Sequence, residues 1–302
     1  MIGNTSHVAV SSKGVTVSRV AVVTDSTADL APDIAAAHGI RVVPLTVRFG
    51  TNEFRAGVDL STEQFWERML APGTPIPSTA APSPGAFRQV FETAFAEGAE
   101  AIVCPMVGST ISATIQSATL AARELPDREI HVIDTASTSM ATGLPAILAA
   151  EMAAAGATGS EVAAGVGRRL PDIDLYVAVD SLDYLRRNGR LSAAATAIGT
   201  VLSIKPIITV RDGVITLAEK MRTRTKARER VVQLITERPI ERLVIMHTPT
   251  STSAEVEAFR QAILDRAPGG IDEALVSIGL IGASTGPHLG PHLMGAVFMR
   301  RA

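Results

Sequence analysis

The sequence predicts an α/β protein: an N-terminal parallel-sheet α/β domain followed by a C-terminal α/β domain with antiparallel strands. Two observations predict the first half. Apolar runs at residues 20–23, 101–107 and 130–134 each stop at a cluster of Ser, Thr and Asp, and each cluster opens an Ala-rich segment. That order reads as buried strand, turn and helix, and its repetition calls for a parallel sheet flanked by helices. The third observation is Asp212-Gly213 between two alternating segments in the second half, a strong hairpin signal.

Residues 1–18 are small and polar, without the apolar centre of a signal peptide, and are expected to form a flexible tail. The first domain is expected over 19–172. In it "IRVVPLTVRF" (40–49) reads as one strand between the first two strand–helix units, and "PSTAAPSPG" (77–85) as a rigid loop carrying Thr79. The second domain is expected over 173–302. It holds a strand at "LYVAV", a short helix at "SLDYLRRNG", the hairpin and a helix at "KARERVVQLITE". The strand "RLVIMH", the helix "SAEVEAFRQAILDRA", the strand "EALVSIGLI", a Gly/Pro-rich stretch and a last apolar run, "MGAVFM", follow.

The bulk properties exclude several functions. With 28 basic and 30 acidic residues the chain has no global attraction for nucleic acid or an anionic membrane. The single cysteine, Cys104, lies in an apolar run, can form no internal disulfide and has no zinc-ligand spacing around it, so it is read as core in a cytoplasmic protein. "GLPAILAAEMAAAGA" carries Glu151 and is too short to span a bilayer, so no stable membrane insertion is expected.

The stretch "GASTGPHLGPH" (282–292) matches the G-x-S-x-G pattern of a serine hydrolase. Such a serine needs a helix straight after it and an acid before the histidine. Here Pro287, Gly290, Pro291 and Gly295 follow, which is not read as a helix start, and no acid separates Ser284 from His288 and His292. A loop that presents His288 into a cleft is the better reading, with a structural histidine as its alternative. Three hydroxyl clusters follow strands: Thr24 to Thr27, Ser109 to Thr114, and Thr135 to Ser139. At the carboxyl edge of a parallel sheet they suit an anionic head group, although each residue alone reads equally as a helix cap. There is no phosphate-binding loop, no dinucleotide fingerprint and no metal spacing. Arg186, Arg187 and Arg190 form one basic cluster. Lys220, Arg222, Arg224 and Lys226 form another, on one face if the chain is extended. They read either as a solvated face or as a docking patch for an acidic or phosphate-bearing partner. The alternative function is an α/β hydrolase or phosphotransferase acting on a small phosphorylated or ester substrate through Asp25 or His288; a metabolite-sensing module is a third.

Ordered blocks carry a resemblance: "VAVVTDSTADL", "STAAPSPGAF", "ISATIQSA", "VIDTASTSMATGL", "SLDYLRRNGRLS", "IGTVLSIKPII", "EKMRT" and "HLGPHLMG". Together, over residues ~20–300, they look like the DegV family of bacterial fatty-acid-binding proteins. The resemblance implies a non-catalytic protein, without cofactor or metal, that holds one long-chain fatty acid between its two domains. It also implies a partner, a separate ATP-dependent fatty acid kinase that converts the presented carboxylate into an acyl phosphate. Carried over by position, Thr79, Ser112 and His288 bind the carboxylate. Ser26, Thr27, Thr114 and Gly290 are candidates for the head-group loop, and Arg186, Arg187, Arg190, Lys220 and Arg222 for kinase docking. The chain departs from the pattern at Ala80-Ala81, Ala113 and His292, the last standing where glycine is usual.

Overall fold

The computed structural model describes residues 20–191 and 204–301, so the expected tail lies outside the described residues. The chain runs β1 (Val20–Asp25), α1 (Pro32–Ala37), β2 (Arg41–Val43), β3 (Thr46–Phe49), β4 (Asn52–Arg55), α2 (Thr62–Leu70), β5 (Ser78–Ala80) and α3 (Pro84–Ala96). It continues with β6 (Ala101–Met106), α4 (Thr114–Arg123), β7 (Glu129–Asp134), α5 (Met140–Ala154) and α6 (Gly159–Arg169). The second half holds β8 (Ile173–Ala178), α7 (Asp183–Arg187), β9 (Lys205–Arg211), β10 (Val214–Met221), α8 (Arg224–Ile235) and β11 (Ile240–His247). It ends with α9 (Ser253–Leu264), β12 (Val276–Leu280), α10 (Gly286–Leu289) and β13 (Met294–Arg300).

The first domain is built on the parallel sheet β2-β1-β6-β7. Its central strands are buried along their whole length because both faces are covered. Val23, Ile102 and Cys104 pack against Phe87 and Phe91 of α3 and Ala118 of α4. Val20, Val22 and Val103 pack on the other side against Ala146 and Ala149 of α5 and Val166 of α6. Alternation along each strand divides its side chains between these two cores.

The second domain is the sheet β10-β9-β8-β13-β11-β12, antiparallel except for the last pair. The final strand, β13, lies in its middle and is buried at all seven positions. One face packs on α8 and α9 through Ile207, Ile245 and Phe298. The other carries Leu175, Val177, Ile208, Met246 and Val297 into a core shared with Phe65, Trp66, Met140 and Leu144 of the first domain. The two domains thus meet across an apolar seam, which the first domain reaches through α2 and α5.

Four expectations need correction. "IRVVPLTVRF" is two strands: Pro44 lacks an N–H and restrains Val43, so β2 stays in the parallel sheet while β3 turns into a separate antiparallel sheet, β4-β3-β5. Thr79 accordingly sits on a short strand, β5, rather than on a loop. A helix does follow Ser284: Pro287 in its first turn has the backbone angle a helix start needs, and Gly290, at φ 73, ends it after one turn. Finally, the alternating basic residues do not share one extended face. Lys220 is on β10, while Thr223 caps α8 and puts Arg224 and Lys226 on a helix.

Candidate functional site

The loops after β1, β6 and β7 converge at the carboxyl edge of the parallel sheet. Asp25, wholly buried, accepts the N–H groups of Thr27 (2.8 Å) and Val107 (3.1 Å) and so ties the first loop to the second. Burial pushes its carboxyl above the usual range, against those hydrogen bonds. Ser26 Oγ accepts from the Leu45 N–H (2.8 Å) and pairs with Ser284 Oγ (2.7 Å). Thr27 Oγ1 is buried without a hydrogen-bond partner.

Asp29 clamps this edge to the C-terminal loop. Its backbone is left-handed (φ 50), a conformation that Asp tolerates better than most residues. Its carboxylate accepts from the Gly282 N–H (3.0 Å), from Thr285 Oγ1 (2.9 and 2.8 Å) and from Ser139 Oγ (2.6 Å). Burial raises its pKa to about 7, with the four donor contacts opposing the rise and the Asp25 charge adding to it. On the far side of the loop, Trp66 Nε1 donates to the Ile281 carbonyl (2.8 Å), and Gly286 lies so close under Phe65 that a Cβ would stand 2.5 Å from the ring. The first domain thus holds the short helix α10, and from the second domain Asn188 Nδ2 donates to its Pro287 carbonyl (2.9 Å).

That helix aims His288 at β5. Its Nε2 pairs with Thr79 Oγ1 at 2.9 Å, and its Nδ1 is buried without a partner. Burial, reinforced by the Arg190 charge, lowers the imidazole pKa to about 4, so the ring is neutral at pH 7 and has one donor and one acceptor nitrogen. Ser112 Oγ pairs with Thr114 Oγ1 (2.8 Å) at the entrance of α4. Thr79, Ser112 and His288, with Thr27, Ser284 and Arg190, line one void of about 460 Å³, part of it open to solvent. A second void of about 400 Å³ is almost wholly apolar and is walled by Leu175, Val177, Ile208, Met246, Ile281 and Val297 on the seam face of the second sheet. The two share Thr138, Ile215 and Leu289 as walls, so a mouth that bears hydroxyls and a histidine adjoins an apolar arm.

The three residues carried over by position thus line one void, and Thr27 joins them. Ser26 and Thr114 stand behind the wall in hydrogen bonds of their own, and Gly290 lies under the Tyr184 ring, which a Cβ would strike. Arg187, Lys220 and Arg222 are exposed, and Arg186 pairs with Asp183. Arg190 is exposed as well, but it donates to the carbonyls of Ile111 (3.3 Å) and Asn188 (2.6 Å) and stands in the wall of the mouth. The sequence reading missed Asp29 entirely; a left-handed Asp four residues after a strand-end Asp carries no local signature. Ser284, His288 and Asp29 bond to Ser26, Thr79 and the Thr285–Ser139 pair respectively, so no hydrogen bond links serine to histidine or histidine to acid as an acyl-transfer relay requires. Among the described residues no group of His, Cys, Asp and Glu has the geometry to hold a metal ion, and no helix is long and apolar enough to cross a membrane.

Comparison with known proteins places the fold. The family model for uncharacterised proteins of the DegV family matches residues 19–301. A DegV domain-containing protein of Streptomyces coelicolor is 36% identical over 93% of this chain and 99% of its own length. Among solved structures, a DegV family protein from Thermus thermophilus described by its fatty acid binding superposes with a TM-score of 0.83 at 30% identity, covering 94% of this chain and all of that one. A stearic-acid-binding protein from Eubacterium ventriosum gives 0.83 at 26% identity, over 92% and 97%.

Proposed function

The chain belongs to the DegV family, and we propose that it binds one long-chain fatty acid between a head-group domain (19–172) and a second domain (173–302) that closes over the acyl chain. The observation that carries this reading is the junction of a hydroxyl- and histidine-lined mouth with an apolar arm. Burying methylenes yields about 0.8 kcal/mol each, so roughly 10 kcal/mol for a chain of about 14 carbons, enough to offset much of the entropy lost on association. A buried carboxylate needs donors. The Ser112 and Thr27 hydroxyls offer two. The Thr79–His288 pair offers a third in either tautomer: if Nε2–H donates to Thr79, the threonine O–H is free, and if Thr79 donates to Nε2, Nδ1 carries the proton. Arg190 in the wall supplies positive charge from the side.

Mass spectrometry of the purified protein, native and after organic extraction, tests the reading. One co-purifying fatty acid per chain is expected; an empty protein that also refuses added fatty acid overturns it. Thr79→Val is expected to weaken binding to lipid-stripped protein roughly 10- to 150-fold in calorimetry, the worth of a lost hydrogen bond to a charged group. Unchanged affinity would remove Thr79 from the carboxylate site.

The partly open mouth also supports presentation of the carboxylate to a separate kinase, with Arg186, Arg187, Lys220 and Arg222 as the docking face and no catalytic group of this chain involved. Charge reversal at Arg187 and Arg222 should then slow kinase-dependent turnover, more so at low salt. A rate equal to that of the unaltered protein places docking elsewhere.

A further inference from the structure

The apolar arm has an identifiable far end. Its walls Ile215, Ile208, Val177, Val297 and Met246 stand on β10, β9, β8, β13 and β11, successive strands in the sheet order. The arm therefore runs across the strands. Ile215 also lines the mouth, whereas Met246 does not. Four strand spacings bound the run at about 19 Å. With C–C bonds near 1.5 Å and angles near 111°, a zigzag chain advances about 1.25 Å per carbon, so at most about 15 carbons fit that run.

Met246 is wholly buried and sits between two glycines. It is in register with Gly295 on β13 and with Gly279 on β12, so neither neighbouring strand places a side chain beside it. The Met246 side chain lies over Gly279: a methyl group there would stand 3.3 Å from its Sδ and 3.6 Å from its Cε, with Val244 at 3.9 Å. Methionine is unbranched, with three rotatable side-chain bonds, and fills irregular space at low cost. A flexible side chain in the wall of an apolar channel, resting in the space that a glycine leaves, is a stop that can move.

Resting on the fatty-acid reading above, we infer that Met246 is the adjustable end-stop of the acyl arm and that Gly279 is the slot in which it lies, so that this pair sets the length of chain the protein holds. Removing the stop lengthens the arm, and filling the slot pushes the stop inward and shortens it. Gly279 does not touch the arm itself and its backbone is not left-handed, so alanine is tolerated there.

The test uses full-length protein, Met246→Ala and Gly279→Ala, each stripped of lipid and offered an equimolar mixture of saturated fatty acids from about 12 to about 20 carbons, with the bound species read by native mass spectrometry. Met246→Ala deletes three side-chain heavy atoms, so its preferred length is expected to rise by about two carbons, while that of Gly279→Ala falls by about one. Identical length profiles in all three proteins, or shifts in the same direction in both variants, overturn the end-stop. An unaltered protein that takes up none of the mixture overturns the fatty-acid reading instead. If Met246→Ala fails to fold, Met246→Leu, which shortens the side chain without emptying the site, is expected to give a smaller rise. Its absence, with no fall in Gly279→Ala, counts against the inference equally.

Discussion

Asp29→Ala is expected to destabilise the protein by about 3 kcal/mol, a fall in Tm of roughly 5 °C for a chain of this size, and to weaken fatty acid binding with it. The alanine leaves the Gly282 N–H and the Thr285 and Ser139 hydroxyls without the acceptor they share. All three groups lie within the seam, where an unmade hydrogen bond costs more than a made one contributes. Because two of them hold the loop that carries His288, the loss reaches the mouth. Asp29→Asn separates the hydrogen bonds from the charge: its carbonyl can accept from Gly282 while the hydroxyls rotate to meet its amide. The charge itself has the opposite sign of effect. With its pKa raised from 3.8 to about 7, the native carboxyl binds its proton more tightly than the unfolded one. Its contribution is therefore most favourable below pH 4 and is lost as pH rises to 7, by ~4 kcal/mol in all. Asp25, raised in the same direction, adds to that slope. Urea denaturation at pH 5 and pH 8 should show both variants, which lack the titrating carboxyl, with a flatter pH dependence than the unaltered protein, and the Ala variant less stable than the Asn variant at both. An Ala variant within about 0.5 kcal/mol of the original at both values would mean the clamp does not hold the loop.

What sequence reasoning could and could not reach follows the range of the forces involved. The three strand–turn–helix units are written locally, in apolar runs ended by capping residues, and so is the β9–β10 hairpin, where Asp212 and Gly213 both take the left-handed backbone its turn demands. The proposed carboxylate site was legible only through resemblance: nothing in the spacing of Thr79 and His288 announces that β5 and α10, 209 residues apart, will place them 2.9 Å from each other. Asp29 was illegible for the same reason, since its partners are 110 and 256 residues distant. Pro44 was a readable break that the long apolar run around it obscured. Arg190 looked like one more surface cation because its carbonyl partner, Ile111, belongs to the other domain. The place of β13 is also a tertiary fact. Its apolar character requires burial, but only pairing with β8 and β11 puts the last strand at the centre of the sheet.

That central position makes Gly295 the residue at which one methyl group should do most damage. It faces Val177 across the β13–β8 ladder, and a Cβ there would stand 2.5 Å from the Val177 Cα and run into the Tyr176 carbonyl. Both atoms are backbone, so relief means prising apart two paired strands in mid-sheet rather than turning a side chain. Overpacking of a well-ordered core typically costs 1–3 kcal/mol and more where backbone must shift, and about 3 kcal/mol is expected for Gly295→Ala. Gly279→Ala is the internal control. It flanks the same Met246 from the opposite strand, but its new methyl meets only side-chain atoms, the nearest being the Met246 thioether at 3.3 Å, and its cost is expected to stay below about 1 kcal/mol. Chemical denaturation of the two variants side by side distinguishes close backbone approach from mere lack of space. Equal stabilities would mean that β8 and β13 are not as close as the structure has them, and the floor of the acyl arm would then have to be redrawn, because Val177 and Val297 form it from those two strands.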